Sequence, residues 1–185
     1  AQVLVALSEF SGQTRVTTTT REFFRSIAQG VLPPLSEKFS RLAIADSIEM
    51  EMIPGPPAFQ QEVYAMTHTT AVPTMLRAGE RINVIPSEAT AWIDVRLVPG
   101  ESPEDFVARV KERVAQTGVD AELEVLNSGL GLEFDLQTDL IRCIREVIAE
   151  HEPDALVVPY LSPGATDAKH LHDRSGVTVY GFKPM

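Results

Sequence analysis

Residues 90–97 alternate between aliphatic side chains and polar or aromatic ones. The aliphatic positions are Ala91, Ile93, Val95 and Leu97, and between them lie Thr90, Trp92, Asp94 and Arg96. Successive side chains of an extended chain point to opposite faces, so this pattern predicts a strand with one buried face. Asp94 and Arg96 are therefore predicted to share the other face with Trp92.

A helix is predicted directly after this strand. Ser102 is a helix-capping residue, Pro103 suits the first helical position, and Asp105 lies near the positive end of the helix dipole. The apolar stripe of the helix consists of Phe106, Val107, Val110 and Val114, and Gly118 ends it. Residues 119–125 alternate again and predict a further strand.

The segments before residue 90 complete a first domain. Apolar spacing predicts helices at residues 1–10, 21–28 and 36–46 and strands at 62–67, 74–77 and 81–85. Helix, strands, helix and strand in this order predict an α+β ferredoxin-like fold, an antiparallel sheet with helices on one face. We assign residues 1–128 to this domain, with an irregular insertion at 31–60 and a first strand upstream of residue 1.

The chain changes character after residue 128. An amphipathic helix is predicted at 140–148, and the apolar runs at 156–158 and 177–180 predict neighbouring parallel strands covered on both faces. Residues 129–185 are thus predicted to be part of a separate α/β domain. Because the chain starts within a helical pattern and stops just after a strand, we expect a fragment of a longer protein.

Composition excludes several classes of protein. Asp and Glu number 26 against 16 Lys and Arg, which gives a net charge of -10 and argues against a nucleic-acid partner. No apolar run approaches the roughly 20 residues that cross a bilayer, so no membrane partner is expected. The single cysteine, Cys143, allows no internal disulfide and favours a reducing, cytoplasmic location.

Two blocks of sequence resemble a known family. The first reads NVIPSEA at residues 83–89 and continues to Asp94, Arg96 and Gly100; the second reads PYLSPGATDA at residues 159–168. The first closely resembles the lid signature of the zinc metallopeptidases that include aminoacylase, carboxypeptidase G, acetylornithine deacetylase and succinyl-diaminopimelate desuccinylase. The second is similar to the segment of their catalytic domain shortly before the last metal-binding histidine.

The resemblance implies a hydrolase that cleaves N-acyl amino acids or short peptides. It implies a pair of zinc ions that activate a bridging water, a role that cobalt or manganese could also fill. It further implies a homodimer, because the family's lid residues reach the active site of the partner subunit. The family's metal ligands and general base match no residue of this chain, so we assign no catalytic or metal-binding residue here and expect the fragment to be inactive.

The resemblance assigns substrate contacts to residues of both blocks. Arg96 has a planar donor fork that suits a carboxylate, and Asn83 could donate an amide hydrogen bond to the same ligand. Gly164 and Thr166 match substrate-contacting positions, and Asp167 a supporting one. The residues alone favour other roles: Arg96 would pair with Asp94 on a solvated face, Asn83 would cap a bulge, and Asp167 would cap a short helix.

Other hypotheses remain open at this level. His170 and His172, with Asp167 and Asp173 nearby, invite a metal site, but residues two apart on a helix point in different directions. We therefore prefer a solvated helix end there. Two rival functions are a non-catalytic ferredoxin-like module that dimerises edge to edge, and a family member that has lost its metal ligands.

Overall fold

The computed structural model describes residues 2–8 and 14–183. The helices are α1 Gln2–Ser8, α2 Thr18–Gly30, α3 Leu35–Leu42, α4 Pro57–Thr67, α5 Pro103–Ala115, α6 Asp139–His151 and α7 Ala168–Ser175, and the strands are β1 Thr70–Ala78 and β2 Ala89–Arg96. A short 3-10 helix, Met50–Met52, precedes α4. The chain forms two compact units, one from the described parts of residues 1–13 and 68–131, the other from those of 14–67 and 132–185.

The first unit is a β-hairpin packed on two helices. β1 and β2 pair antiparallel from Thr70 opposite Arg96 to Ala78 opposite Ala89. A bulge follows Pro73, which has no amide hydrogen to donate to the ladder. The buried cluster consists of Leu7, Phe106, Val110 and Val114, with Ala71, Ile93, Val95, Leu97 and Leu123 packed against it. The predicted alternation of residues 90–97 is confirmed.

Helix α5 also begins as the sequence predicts. The hydroxyl of Ser102 accepts a hydrogen bond from the backbone N–H of Asp105 at 3.2 Å, and Pro103 is the first helical residue. Phe106 is 3% exposed and turns toward the hairpin. Local capping signals and an apolar stripe were therefore sufficient to place this helix.

The second unit is built around an aromatic and aliphatic core. Its buried members are Phe23, Phe24, Phe39, Leu42, Ala43, Ile48, Ile53, Val63 and Met66, with Val158 and Leu161 packed against them. Phe24 meets Phe23 edge to face at 5.4 Å between ring centroids and stacks on Phe39 at 6.4 Å. Helices α2 and α3 thus meet at Phe24, and Phe59 of α4 lies 6.4 Å from Phe23 and 6.2 Å from Phe39 between ring centroids.

Threonines and a distant carboxylate cap the start of α2. The side chain of Thr17 accepts from the N–H of Thr20 at 3.3 Å, and Glu133 accepts from the N–H of Thr19 at 2.6 Å. Both acceptors satisfy amide groups that have no partner within a helix, and the negative charge of Glu133 suits the positive end of the dipole. The threonine run of the sequence is therefore a helix start.

Several predicted strands are wrong. Residues 62–67 belong to α4, because Val63 and Met66 point into the core with the spacing of a helical face. Residues 81–85 lie in an exposed loop between the strands. Three further segments are not strands either: 119–125, 156–158 and 177–180. Within the described residues their backbones form no hydrogen-bonded ladder with another strand.

The predicted sheets are consequently reduced to one hairpin. Within residues 2–8 and 14–183 the only sheet has two antiparallel strands, so the structure is α+β but shows neither a ferredoxin-like sheet nor parallel strands. Leu123 and Val158 of the predicted strands instead bury their side chains against the two cores.

The compact units also divide the chain differently from the predicted domains of 1–128 and 129–185. Residues 14–67 cluster with the described residues after Gly131. The segment 31–60, predicted as an irregular insertion around a helix at 36–46, does contain that helix as α3, and it also supplies core residues, among them Phe39 and Ile48. In the described residues, no helix is long and apolar enough to pass through a bilayer.

Candidate functional site

Arg96 is the last residue of β2 and lies on the outer face of the hairpin. Its Nε donates to Oδ2 of Asp94 at 2.8 Å, and the two side chains are 42% and 49% exposed. The pairing predicted from the residues alone is therefore present. It uses only Nε, and the described chain supplies no acceptor to the terminal N–H groups of the guanidinium. Asp94 orients the fork and leaves its outer edge available to a ligand.

The middle of this outer face is apolar. Val72 lies opposite Asp94 and Met75 opposite Trp92, so these side chains share the face of Arg96. Val72 and Met75 are 53% and 41% exposed. The guanidinium of Arg77 lies 5.5 Å from the centre of the Trp92 ring, within the range of a cation–π contact. We call Val72, Met75 and Trp92 the outer strip.

Asn83 lies at the other end of the hairpin. It is exposed in the loop 79–88, where the N–H of Val84 bonds to the carbonyl of Arg81 at 3.3 Å. Residues 79–81 and 84–88 of this loop line an open concavity of about 490 Å³, and Asn83 is not among the residues that line it. Arg96 is at the opposite end of β2, which spans about 23 Å at 3.3 Å per residue. The structure does not bring both side chains to one end of the hairpin, and Asn83 does not cap the bulge, which lies in β1.

Gly164, Thr166 and Asp167 lie in the second unit, in the loop before α7. All are exposed. The N–H of Gly164 bonds to Oγ of Ser162 at 3.3 Å, and Oγ1 of Thr166 accepts from the N–H of Ala168 at 3.3 Å. Asp167 makes no capping bond with its side chain. Asp167 thus occupies the N-cap position as expected, but the expected capping bond from its side chain is wrong, and the hydroxyl of Thr166 meets the first helical N–H instead.

Tyr160, just before this loop, has a partner that the sequence did not reveal. Its hydroxyl donates to Oε1 of Glu62 in α4 at 2.7 Å, and its ring lies 6.4 Å from that of Phe23. Burial, and then the hydrogen bond and negative charge of Glu62, raise the pKa of Tyr160. These contacts tie residues 159–161 to α4.

Replacing Tyr160 by phenylalanine should lower the free energy of unfolding by about 1 kcal/mol, because one hydrogen bond is lost. A raised tyrosine pKa stabilises the folded state fully below the ordinary value near pH 10, and this stabilisation decreases at higher pH. Urea unfolding between about pH 8 and pH 11 should therefore show that the free energy of unfolding falls more steeply with pH for the parent chain than for Tyr160→Phe. Equal slopes for the two proteins would contradict the hydrogen bond between Tyr160 and Glu62. Glu62→Gln keeps an acceptor for the tyrosine hydroxyl and should lower the free energy of unfolding by less than Tyr160→Phe does.

His172, one of the two histidines of α7, has protein partners. Nδ1 of His172 lies 2.9 Å from the carbonyl oxygen of Val177, and its ring meets Phe134 edge to face at 5.1 Å. Lys169 donates to Asp173 at 2.6 Å, and this hydrogen bond lowers the pKa of Asp173. Among the described residues no three His, Cys, Asp or Glu side chains are grouped to hold a metal ion. The His, Cys, Asp and Glu side chains of the described residues therefore do not by themselves fit the zinc site that the resemblance implies.

Comparison with known proteins decides the family. The family model described as a peptidase dimerisation domain, from the M20 peptidases, matches residues 1–122. The chain belongs to this family. The resemblance predicted from the motif around Asn83 and Arg96 is thereby confirmed, and proteins of this family are peptidases and hydrolases.

Curated relatives are longer than this chain. A "Probable carboxypeptidase S-like 2" of Dictyostelium discoideum is 27% identical over 173 residues, which are 90% of this chain and 31% of that protein. An "N-fatty-acyl-amino acid synthase/hydrolase PM20D1" of Mus musculus is 31% identical over 125 residues, 65% of this chain and 24% of that protein. The chain thus spans less than a third of the length of these relatives. No solved structure matches it.

Proposed function

We propose that this chain is the dimerising and substrate-binding part of a metal-dependent hydrolase that cleaves the amide bond of N-acyl amino acids. The observation that carries the proposal is the exposed donor fork of Arg96, oriented by Asp94 at the end of β2. The names of the relatives support it, because a carboxypeptidase and an N-fatty-acyl-amino acid hydrolase both act on substrates with a free carboxylate. That carboxylate is the group we assign to Arg96.

The outer strip favours a long acyl group on the substrate. It runs along β2 from Arg96 toward the loop 79–88, which exposes Ile82 and Ile85. The strand is eight residues long, about 23 Å, a length comparable to an extended fatty acyl chain. With its carboxylate on Arg96, a fatty acyl chain would cover apolar side chains that are otherwise in water.

Asn83 then takes a different role from Arg96. The amide and the carboxylate of an N-acyl amino acid are adjacent, whereas the loop and the end of β2 are far apart. One chain therefore cannot hold both groups with these two residues, and we propose that Asn83 contacts a separate part of the ligand or a second active site of the dimer. Gly164 and Thr166 remain proposed substrate contacts, and Asp167 a proposed support.

The remaining parts of the proposal rest on the family. A homodimer is supported by the description of the matching family as a dimerisation domain. Zinc, or cobalt or manganese in its place, would need ligands from outside the described residues. No step assigned to this chain uses the metal. The cytoplasmic location inferred from the single Cys143 stays a prediction.

The full-length protein tests the proposal directly. It should hydrolyse an N-palmitoyl amino acid with a kcat/KM about a hundredfold above that for the N-acetyl analogue, because several methylenes are buried. Met75→Ser should reduce this ratio, whereas Ile44→Ser, an exposed aliphatic change in the second unit, should not. A chelator should abolish activity and added zinc restore it. If the protein shows no zinc-dependent amide hydrolysis, the proposal fails, and a non-catalytic dimerisation module or a family member without metal ligands would explain the chain better.

A further inference from the structure

A buried carboxylate lies at the open end of the hairpin. Glu101, between β2 and α5, is 8% exposed, and Thr69, just before β1, is 1% exposed. The carboxylate of Glu101 accepts hydrogen bonds from the hydroxyl of Thr69 and from Nη2 of Arg109 in α5. A carboxylate removed from water needs partners of this kind to remain charged. The sequence patterns did not single out any of the three residues.

Thr69 joins this network to the backbone beside Arg96. Its Oγ1 accepts a hydrogen bond from the N–H of Val98 at 3.1 Å, and the carbonyl of Val98 accepts from the N–H of Glu101 at 3.1 Å. Thr69 precedes Thr70, which is the residue paired with Arg96. One hydroxyl therefore links the chain just before β1 to the chain just after β2.

The network is anchored in the core of the first unit. The guanidinium of Arg109 lies 5.6 Å from the centre of the Phe106 ring, which is 3% exposed. Val98 is also 3% exposed, so its amide group lies where water does not replace a lost partner. The end of the hairpin is in this way attached to α5.

We propose that Thr69 and Glu101 are positioning residues that hold Arg96 where it can bind the substrate carboxylate. The inference rests on the proposed function. The ends of a two-stranded sheet separate readily, and Asp94 cannot prevent this, because it lies on the same strand as Arg96 and moves with it. The hydroxyl of Thr69 fixes that end to the opposite strand. An ordered guanidinium binds a carboxylate more tightly, since less freedom is lost on binding.

A pair of variants in the full-length enzyme tests this role. Thr69→Val removes the hydroxyl and keeps the shape, whereas Thr69→Ser keeps the hydroxyl. Thr69→Val should raise the KM for an N-acyl amino acid about tenfold with little change in kcat, and Thr69→Ser should stay within about twofold. The KM for the carboxamide analogue, which has no charge for Arg96, should not change. An equal rise in KM for acid and carboxamide would overturn the role.

A double-mutant cycle separates this inference from the proposed function. When Arg96 is already leucine, Thr69→Val should add nothing to the KM, because both changes act on one interaction. Additive effects would overturn the positioning role. If Arg96→Leu raises the KM and Thr69→Val does not, only this inference fails. If Arg96→Leu itself leaves the KM unchanged, the proposed function fails and the inference with it.

Glu101→Gln provides a second route if Thr69→Val does not fold. Glutamine keeps the shape and an acceptor oxygen but weakens the charge-assisted bond from Arg109. It should raise the KM for the acid and not for the carboxamide, and the amide hydrogen of Val98 should exchange faster. Faster exchange without a change in KM would show a purely structural network and overturn the proposal.

Discussion

Replacing Arg96 by leucine should raise the KM of the full-length enzyme for N-acyl amino acids about a hundredfold, because a fork of charge-assisted hydrogen bonds contributes about 3 kcal/mol. The fold should tolerate the change. Arg96 and Asp94 are both close to half exposed, and an exposed ion pair contributes little to stability. Steady-state kinetics with an acid substrate and its carboxamide analogue measure the effect.

Two further variants act as controls for this result. Arg77→Leu removes the same charge from the same hairpin face, where Arg77 lies over Trp92, and should leave the KM for an N-acetyl amino acid, whose acyl group is too short to reach the outer strip, within about twofold. Arg96→Lys keeps the charge but not the planar fork and should recover part of the affinity. Should Arg77→Leu and Arg96→Leu raise the KM equally, net charge rather than a specific contact would explain substrate binding.

Local signals predicted the parts of the fold whose information lies within a few residues. The alternation before Leu97 and the cap at Ser102 are complete over short spans, so β2 and α5 were placed correctly. Helix α4 was misread because its β-branched and aromatic residues, such as Val63 and Tyr64, also suit a strand. The structure settles this by packing Val63 and Met66 into the core from one helical face.

Strand pairing is where local reasoning failed. Residues 119–125 alternate as an amphipathic strand does, and Leu123 does pack against the first core. Alternation determines which side chains are buried, but a strand also needs a neighbour for its backbone N–H and C=O groups, and no short pattern names that neighbour. The ferredoxin-like and parallel sheets were predicted from side-chain patterns only, so more strands were predicted than the described residues form.

The candidate site divides in the same way. The pairing of Arg96 with Asp94 follows from two residues on one strand face and was foreseen. The bonds from Thr69 to Glu101 and from Tyr160 to Glu62 join residues 32 and 98 positions apart, and they leave no local signature. Groups that contact a ligand can therefore be suggested by a motif, whereas groups that hold them in position require the fold.

Replacing Phe24 by alanine should lower the free energy of unfolding by about 4 kcal/mol, the largest stability effect expected in this chain. Phe24 is 0% exposed, and Phe23 and Phe39 contact its ring, so the deletion leaves a cavity that these rings cannot fill without losing their own contacts. Urea unfolding of the 185-residue chain followed by circular dichroism measures the loss.

Ile44→Ala, at a side chain 73% exposed, is the matched control and should change stability by less than about 0.5 kcal/mol. A similar loss for both variants would mean that Phe24 is not at the centre of the core, and that the second unit is held together by other contacts.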